Sequence, residues 1–311
     1  MRVVRSPDEM EGVDPEQLTL TVGNFDGFHL GHQAVLAELL ASAAPRGGFA
    51  LAVTFEPHPV AMVRPERAPA LLTTLDEKTA LMSATGLAAL LVVDFTRELM
   101  GTSAADFLTW LGVGRGSHMV LGYDFHMGRD RACDVGALSA LGARLGYGLD
   151  VVPPVEFQGA PISSSRIRDR LAAGDVVAAA DMLGRPYALS GRVVAGDGVG
   201  ADLGAATANL ALKEGKLLPA DGVYFVTIPA LAGRPGVLYV GTRPTFGEGP
   251  RRAEVHVLDL EGDLRGGELA VEVRRRLRGD RKFADPARLR EQIRADLEAA
   301  RAAALERGPA A

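Results

Sequence analysis

Hydrophobic and polar positions follow two different rhythms along the chain. In the first half, short apolar runs recur between stretches whose apolar positions fall three and four apart. LTLTV at 18–22, FALAVTF at 49–55, Ala88–Asp94, Met119–Gly122 and Leu149–Val152 read as strands. His32–Ala44, Leu75–Thr85, Ser103–Leu111 and Val135–Leu145 read as helices between them. The segment holding Pro57, Pro59, Pro65 and Pro69 breaks the rhythm and is expected to be irregular. Strands alternating with helices of this length imply α/β architecture: a doubly wound parallel sheet with helices on both faces. Ligands of such sheets bind beyond the C-terminal ends of the strands.

After about residue 184 the period becomes two. YALSGRVVA, DGVYFVTI, GVLYVGT, EVHVLDL and ELAVEVRRRL are joined by Gly, Pro and Asp turns, which implies a small antiparallel β-barrel. The closing stretch DPARLREQIRADLEAARAAAL is helical, with Asp285 as N-cap, Pro286 in the first position, and Leu289, Ile293 and Leu297 at spacing four. The expected organisation is an α/β domain over 1–184 and a barrel domain with a C-terminal helix over 185–311.

Composition narrows the class. A chain of 311 residues has room for two domains, and 47% hydrophobic with 23% charged residues suits a globular core. A net charge of −5 argues against a general nucleic-acid or membrane-surface binder. The single cysteine, Cys133, excludes an internal disulfide and a cysteine-based zinc site. Acidic residues occupy the N-terminal stretch where a signal peptide needs apolar ones, and the longest apolar run, Leu87–Val93, is far too short to span a bilayer. A cytoplasmic protein with neither nucleic-acid nor membrane partner is expected; homo-oligomerisation is left open.

The densest cluster of chemistry lies in TVGNFDGFHLGHQAVL at 21–36. A strand ends at Val22, Gly23, Gly27 and Gly31 permit a tight turn, and a helix starts near Gly31. His29 and His32 lie three apart across that start, so their imidazoles can face one side. Backbone amides and the positive end of the helix dipole point into the same space, which suits a phosphate group. A second anion-binding pattern is PISSSRIRDRL at 161–171, where serines, Arg166 and Arg168 open a helix. A serine-rich cap alone is usually only a cap; beside the histidine turn it reads as the opposite wall of a nucleotide-phosphate pocket.

These two motifs share the chain with VTFEPHP, LGYDFHMGRDRACD, the MLGRPYALSGRVVAGDG junction, TANL, RPTF and EVHVLDLEGDLRG. Their identity and order resemble the bacterial bifunctional riboflavin kinase/FMN adenylyltransferase (FAD synthetase) family over essentially the whole chain. The resemblance implies that an HxGH nucleotidylyltransferase module transfers AMP from ATP to FMN, giving FAD and pyrophosphate. His29 and His32 would then hold the ATP phosphates and stabilise the transition state, with Ser164, Ser165 and Arg168 on the departing phosphates. Gly23, Asn24, Phe25, Asp26 and Gly31 would shape the turn around the nucleotide. Phe55, His58, Asp124, Phe125 and Gly128 would lie along the flavin.

For the second module the resemblance implies a barrel that phosphorylates riboflavin, with Mg²⁺ and ATP held by a turn containing Thr207 and Asn209 and with Glu254 as base. Both turn residues offer oxygen to a hard cation, and strand alternation puts Glu254, His256 and Leu258 on one side. Ala206 stands where the family has proline, Asp202 lies in a loop that lacks the usual basic residue, and Arg265 replaces an aromatic. In the first module Cys133 replaces a glycine and Ser165 a threonine. These departures leave open an inactive or altered kinase module. A nucleotidyltransferase for another phosphorylated acceptor and a non-catalytic flavin-binding regulatory protein are the remaining alternatives. No P-loop signature occurs, and GDGVGA at 196–201 lacks the following amphipathic helix that a dinucleotide-binding turn needs. The expected cofactor is Mg²⁺ arriving with ATP; the expected partners are ATP, FMN and riboflavin.

Overall fold

The computed structural model describes residues 1–10, 12–194, 208–242, 251–260, 264–283 and 285–307. Two compact units, Met1–Ser164 and Ser165–Ala311, divide the chain. The first unit opens with β1 (Arg2–Val4), β2 (Leu18–Val22), α1 (Leu30–Ala43) and β3 (Phe49–Glu56). After α2 (Pro59–Val63) and α3 (Leu75–Ser83) come β4 (Ala89–Asp94), α4 (Arg97–Met100), α5 (Ala104–Trp110) and β5 (His118–Gly122). The two-residue strands β6 (His126–Met127) and β7 (Cys133–Asp134) form a ribbon before α6 (Val135–Leu145) and β8 (Gly148–Val152).

Six strands form one parallel sheet in the order β1-β4-β3-β2-β5-β8. Alternate residues of each strand go to opposite faces, and both faces are covered, so the strands read as continuous apolar runs. Leu51, Val53, Leu91 and Met119 pack with Phe107 of α5 and Leu138 of α6. Ala52, Leu90, Val92 and Val120 pack with Leu36 and Leu39 of α1 and Met82 of α3. From β2 the chain moves to β3 on one side and later to β5 on the other. The strand order therefore reverses between β2 and β5, and the crevice beyond their C-terminal ends is where such sheets bind ligands.

Three local expectations are corrected. The proline-rich segment is not wholly irregular, because His58 caps the short α2 by accepting the Val60 amide at 3.2 Å and Pro59 suits its first position. The first helix starts at Leu30 rather than His32, because the His29 ring already caps it. Asn209 lies on a strand rather than in a turn.

The first unit ends with the ribbon of β9 (Glu156–Phe157) and β10 (Ala160–Pro161) and with Ser164, on which α7 (Ser164–Ala173) begins; α7 and α8 (Val176–Leu183) precede β11 (Tyr187–Val194). With β12 (Ala208–Leu212), β13 (Gly222–Ile228), β14 (Arg234–Gly241), β15 (Arg252–Val257) and β16 (Glu268–Gly279), β11 closes an antiparallel barrel in the order β11-β12-β15-β14-β13-β16. Helix α9 (Pro286–Arg307) starts where Asp285 accepts the Arg288 amide at 2.9 Å. Its small residues Ala300 and Ala303 pack on Val223, Phe225 and Val237, and Arg278 forks onto the buried Asp296 at 2.8–3.2 Å.

One polar cluster sits at the opposite end of the parallel sheet from the crevice. Asp150 accepts from the ring of His118 at 2.6 Å and from the Ser42 hydroxyl at 3.2 Å. A Cβ on Gly148 would stand 2.5 Å from the His118 ring, so only glycine leaves room for the pair. The His118 hydrogen bond holds the Asp150 carboxyl below its ordinary range, against the opposing effect of burial. A carboxylate with a depressed folded pKa adds stability above its unfolded pKa and loses it as pH falls through the folded value. Asp150→Asn is therefore expected to lower the melting temperature at neutral pH. With the carboxylate side chain 48% exposed, the loss should be no more than about 1 kcal/mol. Melting curves of the two proteins should converge as the pH is taken below about 4.

Candidate active sites

The turn that follows β2 sits at the reversal of strand order. Its backbone is unusual: Phe25 and Phe28 have φ of 48° and 40°, beside Gly27 at 81°. Such left-handed positions cost non-glycine residues roughly 1–3 kcal/mol each. Both rings are buried and pack in the cluster with Leu36 and Val120, which offsets that cost. Asp26 fixes the turn from beneath. Its buried carboxylate accepts the amides of Leu72 and Thr73 at 3.0 Å, and the Thr73 hydroxyl accepts the Gly27 amide at 2.9 Å. From the far end of the unit, the Ser164 hydroxyl donates to the Asp26 carbonyl at 2.8 Å.

The result is a rigid platform for two histidines. His29 caps α1, its Nδ1 accepting the His32 amide at 3.3 Å. The two imidazoles lie stacked, centroids 3.6 Å apart and planes 17° off parallel. A Cβ on Gly31 would meet the His29 ring at 3.1 Å, so the missing side chain lets the rings lie together. Phe25 meets His32 edge-on at 5.4 Å. His32 as a whole is half-buried, yet its Nδ1 is sealed from solvent and has no hydrogen-bond partner. Burial first, then the neighbouring His29 and the Lys78 ammonium, hold its pKa well below 6.5. A neutral imidazole with one donor N–H, beside the amides of a helix N-terminus, can bind phosphate oxygen.

Phe55 and Phe125 pack against the apolar cluster on the other face of the sheet, with Phe107 and Leu138, Phe55 also meeting Phe95 edge-on at 5.4 Å. Asp124 is exposed just past β5, and Gly128 has a left-handed φ of 76° with the Ala104 backbone too close for a side chain. His58 is spent as the cap of α2 on its Nδ1 side. Of the second motif, Ser165 is exposed in the first turn of α7 and Arg168 is half-buried one turn on.

In the barrel, the register pairs Asn209 of β12 directly with Glu254 of β15, and Glu254 with Tyr239 of β14. Directly paired residues share a face, with Cβ atoms about 5 Å apart. Asn209 is buried, and its Oδ1 has no hydrogen-bond partner. An unsatisfied buried oxygen costs about 1–3 kcal/mol, which a bound cation or donor would recover. Asn209 also lines a cavity of about 340 Å³ with Lys216, Arg251, Arg252 and the apolar Leu210 and Leu212. Lys216 rests over the Tyr187 ring at 4.7 Å, and Tyr187 is tied by its hydroxyl to the Leu217 carbonyl at 2.7 Å. Thr207, the other expected metal ligand, lies outside the described residues.

Residues 12–166 match the FAD synthetase family and residues 183–304 the riboflavin kinase family. A bifunctional riboflavin kinase/FMN adenylyltransferase of Pseudomonas fluorescens is 40% identical over 289 residues, covering 91% of this chain and 92% of its own. Its Escherichia coli K12 counterpart is 36% identical over 302 residues, with 95% and 96% covered. The chain belongs to the bifunctional riboflavin kinase/FMN adenylyltransferase family. A solved structure described as a macrolide-efflux protein of Streptococcus pneumoniae has the same fold, with a TM-score of 0.84 at 27% identity over 96% of this chain and 98% of that one.

Within this bifunctional family member, the motifs do not single out Lys78, Thr54, Leu72 or Thr73, although all four brace the histidine turn. The signal for Lys78 is its position on the apolar stripe of α3, in phase with Leu75 and Met82, where a surface lysine would not be placed. The backbone partners of Asp26 leave no trace in side-chain patterns. Replacing Asp26 with alanine strands two buried amides. The expected loss is about 3 kcal/mol, read as a lower urea midpoint for the first unit, with a smaller loss for Asp26→Asn.

Proposed function

We infer that this chain makes FAD in two ATP-dependent steps: phosphorylation of riboflavin to FMN, and transfer of AMP from ATP to FMN. The first unit carries the second step. Its nucleophile is the FMN phosphate, so no covalent intermediate on the protein is needed. A phosphate oxygen attacks the α-phosphorus of ATP, the bond to the β-phosphate bridging oxygen breaks, and pyrophosphate leaves with the negative charge. Catalysis then consists of alignment and of donors placed where charge builds. The stacked His29 and His32 pair, with the amides of the α1 N-terminus, supplies those donors. That pair, at the reversal of strand order, is the observation that carries this assignment.

Ser164, Ser165 and Arg168 are assigned to the departing phosphates, the Ser164 hydroxyl serving also as the brace of Asp26. Gly23, Asn24, Phe25, Asp26 and Gly31 are assigned to the shape of the nucleotide turn rather than to direct bonds from their side chains. Phe55, Phe125, His58, Asp124 and Gly128 are assigned to the flavin side. A functional boundary near Gly184 separates the transferase from the kinase.

In the barrel, Glu254 takes the proton of the ribityl hydroxyl as that oxygen attacks the γ-phosphorus of ATP, with ADP as leaving group. The orphaned Asn209 Oδ1 fits a hard cation, and with Thr207 it would hold Mg²⁺. Bound there, Mg²⁺ would neutralise phosphate charge. Lys216, Arg251 and Arg252 surround the adjoining cavity with positive charge suited to polyphosphate. No helix among the described residues is long and apolar enough to cross a membrane.

Chromatography of flavins separates the two steps. His29→Ala should lose FAD formation from FMN by about a hundredfold or more and keep riboflavin phosphorylation. Glu254→Gln should show the reverse, and equal loss of both products in either variant would break the assignment. Gly31→Ala offers a graded test. Alanine favours the helix by about 1 kcal/mol, so the melting temperature should hold or rise. The displaced His29 ring should still lower turnover by about tenfold to a hundredfold.

A further inference from the structure

Lys78 is buried at 6% exposure on α3, yet its ammonium makes its hydrogen bond to a neutral group, the Thr54 hydroxyl, at 3.1 Å. The Thr54 hydroxyl in turn donates to the Asn24 carbonyl at 3.2 Å. A hydrogen-bonded chain thus runs from a buried cation to the backbone of the histidine turn. An ammonium has three donors, and the bond to Thr54 uses one. Burying a lysine in this way is costly.

Burial lowers the Lys78 pKa from its ordinary value, and the charges of Asp26 in the turn and Glu56 at the end of β3 act against that shift and favour the ammonium. The groups acting on His32 are its stacked neighbour His29 and Lys78. At His32, the sealed Nδ1 has no acceptor. A proton there would be a stranded donor in the field of an ammonium, whereas a lone pair there is stabilised by it. The single proton of the neutral ring therefore belongs on Nε2.

We propose that Lys78 is a positioning residue of the AMP-transfer site: its ammonium, braced through Thr54 on the Asn24 carbonyl, fixes His32 in the Nε2–H form and adds a positive charge that acts on that ring. His32 is thereby ready to donate to a phosphate oxygen without first gaining a proton. When ATP and FMN bring their negative charge to the crevice, the cation is already in place, so little reorganisation is needed as pyrophosphate separates. The proposal rests on the assignment of His29 and His32 to AMP transfer.

The test uses the full-length chain and two measurements. Nitrogen-15 correlation spectra of the His32 ring report its tautomer and titration, and flavin chromatography reports kcat and KM for FAD formation. The wild-type ring is expected as Nε2–H at neutral pH. Lys78→Met should raise the His32 titration midpoint, populate the Nδ1–H form and lower kcat by about tenfold to a hundredfold with a smaller effect on KM for ATP. Lys78→Arg should restore most of both. A wild-type ring found charged or Nδ1-protonated at neutral pH overturns the proposal, and needs no variant to fold. A folded Lys78→Met protein with unchanged kcat and unchanged His32 spectra overturns it equally. His29→Ala and His32→Ala serve as controls: full FAD formation in both would sink the parent assignment, whereas their loss alongside an unaffected Lys78→Met sinks only the role of Lys78.

Discussion

Everything at the mouth of the parallel sheet depends on one buried carboxylate. Asp26 grips two amides of the segment that leads into α3, and through that grip the turn is held in a conformation its own residues disfavour. Phe25 and Phe28 would not stay at positive φ in an unbraced loop. Once they do, their rings fill the space under α1, His29 becomes the cap of that helix, and His32 falls into register beneath it. The site is thus built by backbone strain held in place from below, and the imidazoles need no direct hydrogen bond to each other to be aligned.

The barrel solves a related problem with different means. The turn after β2 presents stacked imidazoles beside the amides of a helix N-terminus; the barrel pairs an amide with a carboxylate, and three cations line the cavity that the amide shares. The contrast is the one that the two proposed nucleophiles would call for. A phosphate monoester arrives already anionic and must be tolerated, so donors suffice, whereas a sugar hydroxyl must lose its proton, so an acceptor is needed.

Much of this was legible in the chain. Strand and helix rhythm identified the sheet and the barrel, because fully covered strands are continuous apolar runs and barrel strands alternate. Glycine spacing with His29 and His32 marked the turn, since few residues other than glycine permit that geometry. Less legible were features set by distant contacts. Asp26 and its partners are 46 and 47 residues apart. The edge strand Arg2–Val4 is too short to show a period, and α2 hides among prolines because His58 supplies its cap. Asn209 reads locally as part of a polar turn, and only pairing with β15 makes it a strand residue. Lys78 was visible as a polar interruption of an apolar stripe, but its meaning required Thr54 from another element.

Closure of the barrel has a consequence for how its chemistry tolerates change. Each strand is hydrogen-bonded on both sides, with β11 meeting β16 at the seam. A slip of one residue at any pair would have to be absorbed all the way round the ring, and it would turn Asn209 and Glu254 to opposite surfaces. The distance between amide oxygen and carboxylate is therefore set by a counting rule spanning the whole cylinder. Substitutions that leave the strand pairing intact therefore leave that spacing locked.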